Sequence, residues 1–233
     1  MPLIVSGGDG TLFHHLQDLR PPFPDILIHP SGRGNALARD LRTASEPVAV
    51  DLLEVAVTPA ERKPFTAWCL SSVAFGYPVT VTRRSLPLRR LRRLSYAAAS
   101  LFTRPLRQPF SLSLNGEAPL IRSLTGILIN NTRHVGGFVA IPSASCSDGF
   151  ADCMELNAGY LSQLAHHLSA MSRADCWMPA RVTRIQSASI TPERPRELML
   201  DGELIPGIAR IELRLIPAAI RCSVLHPPYA RKR

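Results

Sequence analysis

The chain has 233 residues, 45% of them hydrophobic and 19% charged, with a formal net charge of +9. That length buries a substantial core in one large domain or two modest ones, which excludes a disordered tail or a stapled miniprotein. No apolar run approaches the ~18 residues of a membrane-spanning helix, and Met-Pro-Leu-Ile-Val-Ser has no basic stretch leading into a longer apolar one, so a cytoplasmic protein is expected.

Leu3-Ile-Val5 is a short apolar run ending in Ser-Gly-Gly-Asp-Gly-Thr, after which Leu12, Phe13, Leu16 and Leu19 keep helical spacing. The order strand, glycine turn, helix then repeats, with a strand over residues 25–30, a turn at Ser31-Gly-Arg-Gly34 and a short helix from Asn35 to Leu41. Two such units in succession predict a parallel sheet. Beyond residue 47 the texture becomes alternation punctuated by turns. Strands are expected over 48–57, 65–75, 110–114 (before the hairpin pair Asn115-Gly116), 119–132, 136–142, 151–157, 182–190, 196–205, 208–216 and 219–225. One helix interrupts them, with Leu161, Leu164, Ala165, Leu168 and Met171 on one face. The fold class that follows is α/β plus β: a partial α/β domain over 1–47, with 218–233 packing back on it, and an antiparallel β domain over 48–217.

The five cysteines show no C-x-x-C spacing, which predicts reduced, buried thiols. Neither His14-His15 nor His166-His167 has the i, i+4 spacing of a helical metal site. Charge is concentrated between residues 83 and 107, which hold eight arginines and no acidic residue. Leu86, Leu88, Leu91 and Leu94 run among them, and Tyr96 to Phe102 follows as an apolar stretch. Basic beside apolar fits an anionic membrane surface, although a solvated helix face with arginine stems over apolar surface reads equally well. Aromatics at 6% are too sparse for base stacking, so nucleic acid is not an expected partner.

Gly7-Gly8-Asp9-Gly10-Thr11 is the sharpest chemical feature. Glycines let a backbone approach a polyphosphate, the helix start offers free N–H groups, and Thr11 adds a hydroxyl. A carboxylate there repels bare phosphate, which points Asp9 toward Mg²⁺ or an attacking hydroxyl. The second turn aims at the same edge of the sheet, where open α/β sheets bind ligands.

These motifs resemble the diacylglycerol kinase catalytic-domain family, which includes sphingosine, ceramide and bacterial lipid kinases. Residues 30 to 38, Pro-Ser-Gly-Arg-Gly-Asn-Ala-Leu-Ala, are most similar to its sphingosine-kinase branch. Val50-Asp-Leu52, Ser72 to Tyr77, the block Asn130-Asn131, Gly136-Gly137, Pro142, Asp148-Gly149 and Asp152, and Leu200-Asp-Gly-Glu203 match further family segments in order.

The resemblance implies a Rossmann-like nucleotide domain of the NAD kinase and phosphofructokinase type, followed by a β-sandwich lipid domain. It implies transfer of the γ-phosphate of Mg·ATP to a hydroxyl of a diacylglycerol- or sphingoid-type lipid at the inner membrane face. By position, Ser6, Gly7, Gly8, Asp9, Gly10, Thr11 and Leu12, with Gly32, Arg33, Gly34 and Asn35, would hold the nucleotide phosphates. Asp201 or Glu203 would be the general base, with Asp9 a rival. Asp148, with carbonyls at Ser145 and Phe150, would form an accessory Mg²⁺ loop. The chain departs from the family pattern in four places. The family's first β-α-β unit has no counterpart before Gly7, which leaves a bare sheet edge open to homodimerisation; Arg33 replaces Thr/Ser; Phe13-His14 replaces Asn-Glu; and Ser147 replaces an acidic metal ligand. Two further readings stand beside the kinase: a catalytically impaired lipid-binding remnant, and NAD kinase, which shares Gly-Gly-Asp-Gly-Thr but whose later Gly-Gly-Ser-Thr-Ala segment has no counterpart here.

Overall fold

A computed structural model describes residues 2–91, 94–135, 138–157, 159, 161–162, 165 and 180–225. Strands β1 (Leu3–Gly7) and β2 (Ile26–Pro30) pair in parallel, with Gly7 opposite Pro30. Helices α1 (Asp9–Gln17) and α2 (Ala36–Asp40) therefore leave from the same end of the pair. The helical spacing read at Leu12, Phe13 and Leu16 is the buried face of α1.

The chain then enters β3 (Val48–Pro59), β4 (Phe65–Cys69) and β5 (Ser72–Gly76), followed by α3 (Tyr77–Ser85) and α4 (Leu94–Leu101). Next come β6 (Gln108–Leu114), β7 (Leu120–Leu124), β8 (Gly126–Asn130) and a short ribbon, β9 (His134–Val135) with β10 (Phe138–Val139). The last strands are β11 (Ala151–Leu156), β12 (Ala180–Ile185), β13 (Ser187–Pro192), β14 (Arg196–Leu200) and β15 (Glu203–Val224). Among the described residues, thirteen strands share one sheet, whose main path runs β12-β11-β8-β5-β14-β15-β13-β6-β7. The sheet folds over on itself: the rings of Phe75 on β5 and Phe110 on β6, four strands apart on that path, lie 6.2 Å apart between centroids.

Two departures from the sequence reading position the cleft. The strands expected over 208–216 and 219–225 are parts of the single strand β15, 22 residues long. Its register shifts between Ile216 and Ile220, where Ala218 takes a left-handed φ of 50°. That bend, unfavourable for a residue with a Cβ, is held by the Ala218 N–H donating to Asp51 Oδ1 at 2.7 Å. β15 pairs with β14 at its start, with β13 and β3 along its middle, and in parallel with β2 at its end. The sheet is thus continuous across the boundary expected at residue 47.

The second departure is α3, which begins before the arginine-rich segment and is not evident in the sequence pattern; α4 lies within that segment, where a helix face is one of the two readings. The helix expected between Leu161 and Met171 falls largely outside the described residues, as do Gly136-Gly137, Cys176 and His166-His167. The other four cysteines are free and buried, as expected.

The apolar core has two main clusters. One, around Leu53, Phe75, Phe110, Ile129 and Ile211, fills the folded sheet. The other packs α1 and α2 on β1, β2 and the end of β15 through Val5, Leu16, Leu37, Val50 and Cys222. The cleft opens where these two bodies meet.

Candidate active site

Both glycine turns come off the same end of β1 and β2, and their backbones touch. A Cβ on Gly32 would lie 2.2 Å from the Gly8 Cα, so neither turn tolerates a side chain at that contact. The Ser31 N–H donates to the Gly7 carbonyl at 2.9 Å. Asn35, itself left-handed at φ 51°, closes the second turn by accepting from the Gly32 N–H at 3.0 Å and donating from Nδ2 to the Gly32 carbonyl at 2.9 Å. Asp9 joins the two turns, because its Oδ1 accepts the Ala36 N–H at 2.7 Å. Burial pushes the Asp9 carboxyl above the usual carboxylate range, against the pull of the N–H groups it accepts.

The facing wall is the β14–β15 hairpin. Asp201 and Gly202 form its two-residue turn, at φ 48° and 94°, a pair of left-handed residues that tightly joined antiparallel strands favour. The buried Asp201 carboxylate accepts three backbone N–H groups: Leu70 on Oδ2 at 2.8 Å, and Ser71 at 2.9 Å and Ser72 at 2.7 Å on Oδ1. Burial pushes its pKa up to about 7; the three N–H donors oppose the rise, and the charge of Asp9 adds to it. Glu203 is more open and leans over the start of α1, where a Cβ on Gly10 would meet its Oε1 at 2.4 Å. Its Oε2 lies 3.8 Å from His14 Nε2.

One cavity of about 460 Å³ lies between these walls. Of the residues expected at phosphates, Gly8, Asp9, Gly10, Thr11, Arg33 and Gly34 line it, and Asp201 and Glu203 line it from across. Ser6, Gly7, Gly32 and Asn35 do not; they build the turns behind it, with Ser6 Oγ 2.9 Å from His29 Nδ1. Leu12 does not line it either. Its side chain is buried in the core and its N–H donates to the Gly8 carbonyl.

Sequence reasoning missed His14, His15, Ser71, Ser72, Thr82, Tyr96 and Met199, all of which line the cavity. The histidines are visible in the sequence as a pair, but the others reach the cleft only through long-range pairing. Arg33, the departure from Thr/Ser, sits among them. Its Nη1 approaches Ser95 Oγ at 3.5 Å, and its Cζ lies 5.8 Å from the centroid of the Tyr96 ring.

The loop expected to hold an accessory metal departs from that reading. Asp148 pairs with Arg184, whose Nη2 donates to Oδ2 at 2.5 Å, and Asp148 Oδ1 accepts the Phe150 N–H at 3.2 Å. The Arg184 guanidinium already neutralises Asp148, and no three His, Cys, Asp or Glu side chains converge as a metal site among the described residues. The residues here do not fit a bound metal.

Comparison with known proteins bears directly on this geometry. No family model matches the chain. A diacylglycerol kinase of Mycobacterium tuberculosis is 32% identical over 241 residues, covering 97% of this chain and 76% of its relative. The chain belongs to the diacylglycerol kinase-like family of lipid kinases. A probable YegS-like lipid kinase of Stenotrophomonas maltophilia is 26% identical over 244 residues, covering 94% of this chain and 77% of that protein. The fold of this lipid kinase matches the crystal structure of a diacylglycerol kinase from Bacillus anthracis with a TM-score of 0.73 at 18% identity, covering 97% and 77% of the two chains. It also matches a yeast NADH kinase complexed with NADH, at a TM-score of 0.54 and 10% identity, covering 97% of this chain and 61% of that one. No helix among the described residues is long and apolar enough to cross a membrane.

Proposed function

We propose that this family member transfers the γ-phosphoryl group of Mg·ATP to a hydroxyl of a diacylglycerol- or sphingoid-type lipid in the cleft between the glycine turns and the β14–β15 hairpin. The observation that carries the reading is the shared cavity. The glycine turns and Arg33 supply donors for phosphate oxygens on one side, and the Asp201–Glu203 hairpin supplies carboxylates on the other. Asp9 and Glu203 flank the start of α1, where a bare polyphosphate would be repelled; that donor set fits a magnesium ion arriving with the nucleotide. When bound, the ion neutralises charge on the phosphate oxygens.

Asp201 is the better general base. Its pKa of about 7 matches working pH, and its Oδ2 accepts only one of the three N–H groups, which leaves a lone pair for a substrate hydroxyl. Glu203, over the α1 start, sits closer to the phosphate position. Arg33 carries a planar guanidinium that can grip two phosphate oxygens at once.

The lipid would reach this cleft from an anionic membrane surface along α3 and α4, which wall the cavity through Thr82 and Tyr96, with Leu94 on α4 and Leu91, Phe102 and Leu106 in the flanking turns exposed among arginines. Transfer of label from γ-³²P-ATP by the purified protein, offered diacylglycerol, sphingosine, ceramide and NAD in parallel, tests the assignment. Labelled lipid is expected. Label on NAD alone would move the chain to the NAD kinases, whose fold it shares in part, and lipid binding without any transfer would make it a non-catalytic binder.

A further inference from the structure

Residues opposite one another in adjacent strands carry their side chains on the same face of the sheet. Ser72 on β5 faces Asn130 on β8, Asn130 faces Asp152 on β11, and Asp152 faces Arg184 on β12. A polar row therefore crosses four strands from the cleft, where the Ser72 N–H donates to Asp201, out to strand β12. Ser72, Asn130 and Asp152 are buried. Asn130 spends its amide N–H on the Thr132 carbonyl at 3.2 Å.

At that far end Arg184 stands between two carboxylates. It donates to Asp148 and lies across the sheet from Asp152, while its guanidinium covers the Phe150 ring with Cζ 4.2 Å from the centroid. A third carboxylate, Asp51, is tied to the same loop by the Gly149 N–H at 2.8 Å. Three acidic residues around one short loop need a counter-ion. Ser147 leaves the loop one acidic ligand short of the family pattern, which weakens any claim of a divalent cation on it.

We propose that Arg184 is the built-in counter-ion of the Asp148 loop, standing where the family resemblance places an accessory magnesium ion, so that the loop keeps its shape without metal. Arginine suits the place because its fork is always charged, binds carboxylate along its edge and stacks on an aromatic face at the same time; lysine does none of this with one geometry. The consequence is a division of labour: any magnesium requirement of this protein belongs to the nucleotide alone.

The proposal does not rest on the kinase reading, and its test uses no phosphoryl transfer. Thermal unfolding of nucleotide-free protein is followed in EDTA and in millimolar MgCl₂ or CaCl₂, for the wild type, Arg184→Gln, and Arg184→Gln combined with Asp148→Asn. The wild-type midpoint is expected to be the same in EDTA and in either salt. Arg184→Gln is expected to melt about 2–4 °C lower in EDTA and to recover in divalent salt, because the uncovered carboxylates then hold a cation; adding Asp148→Asn removes that recovery. A wild-type midpoint that rises with magnesium or calcium as far as the variant's does would place a metal in the loop and overturn the proposal. So would an Arg184→Gln protein that melts like the wild type in EDTA and ignores both salts.

Discussion

Asp9 Oδ1 accepts the Ala36 N–H at 2.7 Å, so the carboxylate of the first glycine turn is also the cap of the helix that follows the second. Asn35, in the N-cap position of α2, makes no side-chain bond to that helix start because its amide is spent on Gly32. Asp9 thus does two jobs, which substitution can separate. Asn keeps an oxygen for the Ala36 N–H but removes the charge, so Asp9→Asn should melt near the wild type while losing about 10²–10⁴-fold in turnover. Asp9→Ala should lose the cap as well, about 1 kcal/mol. Kinetics beside thermal melts check this, and wild-type turnover in Asp9→Asn would remove Asp9 from the site.

Asp201 carries a pH prediction in two parts. As a base with a pKa of about 7, it should give a rate that climbs about tenfold per pH unit below 7 and levels off above it; Asp201→Asn should be slow and flat. The sign for stability is the reverse. The folded-state pKa is raised, so the native state holds its proton more tightly than the unfolded chain, and stability falls as pH rises from about 4 to about 7 before flattening. Asn in this place turns an N–H toward the Leu70 N–H, leaving that donor unpaired at a cost of about 1–3 kcal/mol. Urea melts across pH 4 to 8 should show a falling wild-type stability and a variant that is weaker but shallower in slope.

Gly32→Ala tests the contact between the turns. With a Cβ 2.2 Å from the Gly8 Cα, and backbone on both sides, the turns must separate. The expected result is loss of nucleotide binding by calorimetry together with a drop in stability of about 1–3 kcal/mol. Gly116→Ala, whose Cβ would meet nothing but whose φ of 77° disfavours a side chain, a strain that Gly32 does not share, is the contrast: it should lose stability through the backbone alone and bind nucleotide normally.

The parts of the molecule legible in the sequence are those whose signal is local. The glycine turns follow apolar strands directly, and Asp201-Gly202 reads as a turn pair without help. What Asp201 does there was not legible, because its three N–H donors come from residues about 130 positions away, brought in by the pairing of β14 with β5. Likewise the ion pair of Asp148 with Arg184 was not legible, because it forms only once β11 pairs with β12. Helix α3 was hidden by Val79, Thr80, Val81 and Thr82, whose branched side chains favour strands. Its start is fixed by tertiary contacts instead: Gly76 at φ 76° turns the chain out of β5, Pro78 sits in the first turn, and the Tyr77 N–H donates to the Thr125 carbonyl at 2.9 Å. The cleft residues Thr82, Tyr96 and Met199 share that difficulty, since each lies on an element whose place depends on the whole sheet.

The arginine-rich segment makes the remaining prediction. Some of the charge is engaged within the protein: Arg83 pairs with Glu197 and Arg84 donates to the Phe102 carbonyl. Arg90 and Arg104 are exposed on the same segment as Phe102, at 75% exposure, and Leu106, at 63%. Side chains that open contribute little to folding, so Phe102→Ser with Leu106→Ser, and Arg90→Glu with Arg104→Glu, should both leave the melting temperature in place. On a membrane they should differ. In the proposed docking the apolar pair would set how far the surface inserts, so its loss should weaken binding to vesicles of any charge; the arginine pair would set attraction to anionic headgroups, so its reversal should weaken binding only where phosphatidylglycerol is present. Wild-type binding to anionic vesicles should fall steeply between low and physiological salt as screening shortens. Sedimentation with vesicles of zwitterionic and mixed anionic composition reads all three effects, and wild-type binding that ignores both salt and lipid charge would return these arginines to a solvated helix face.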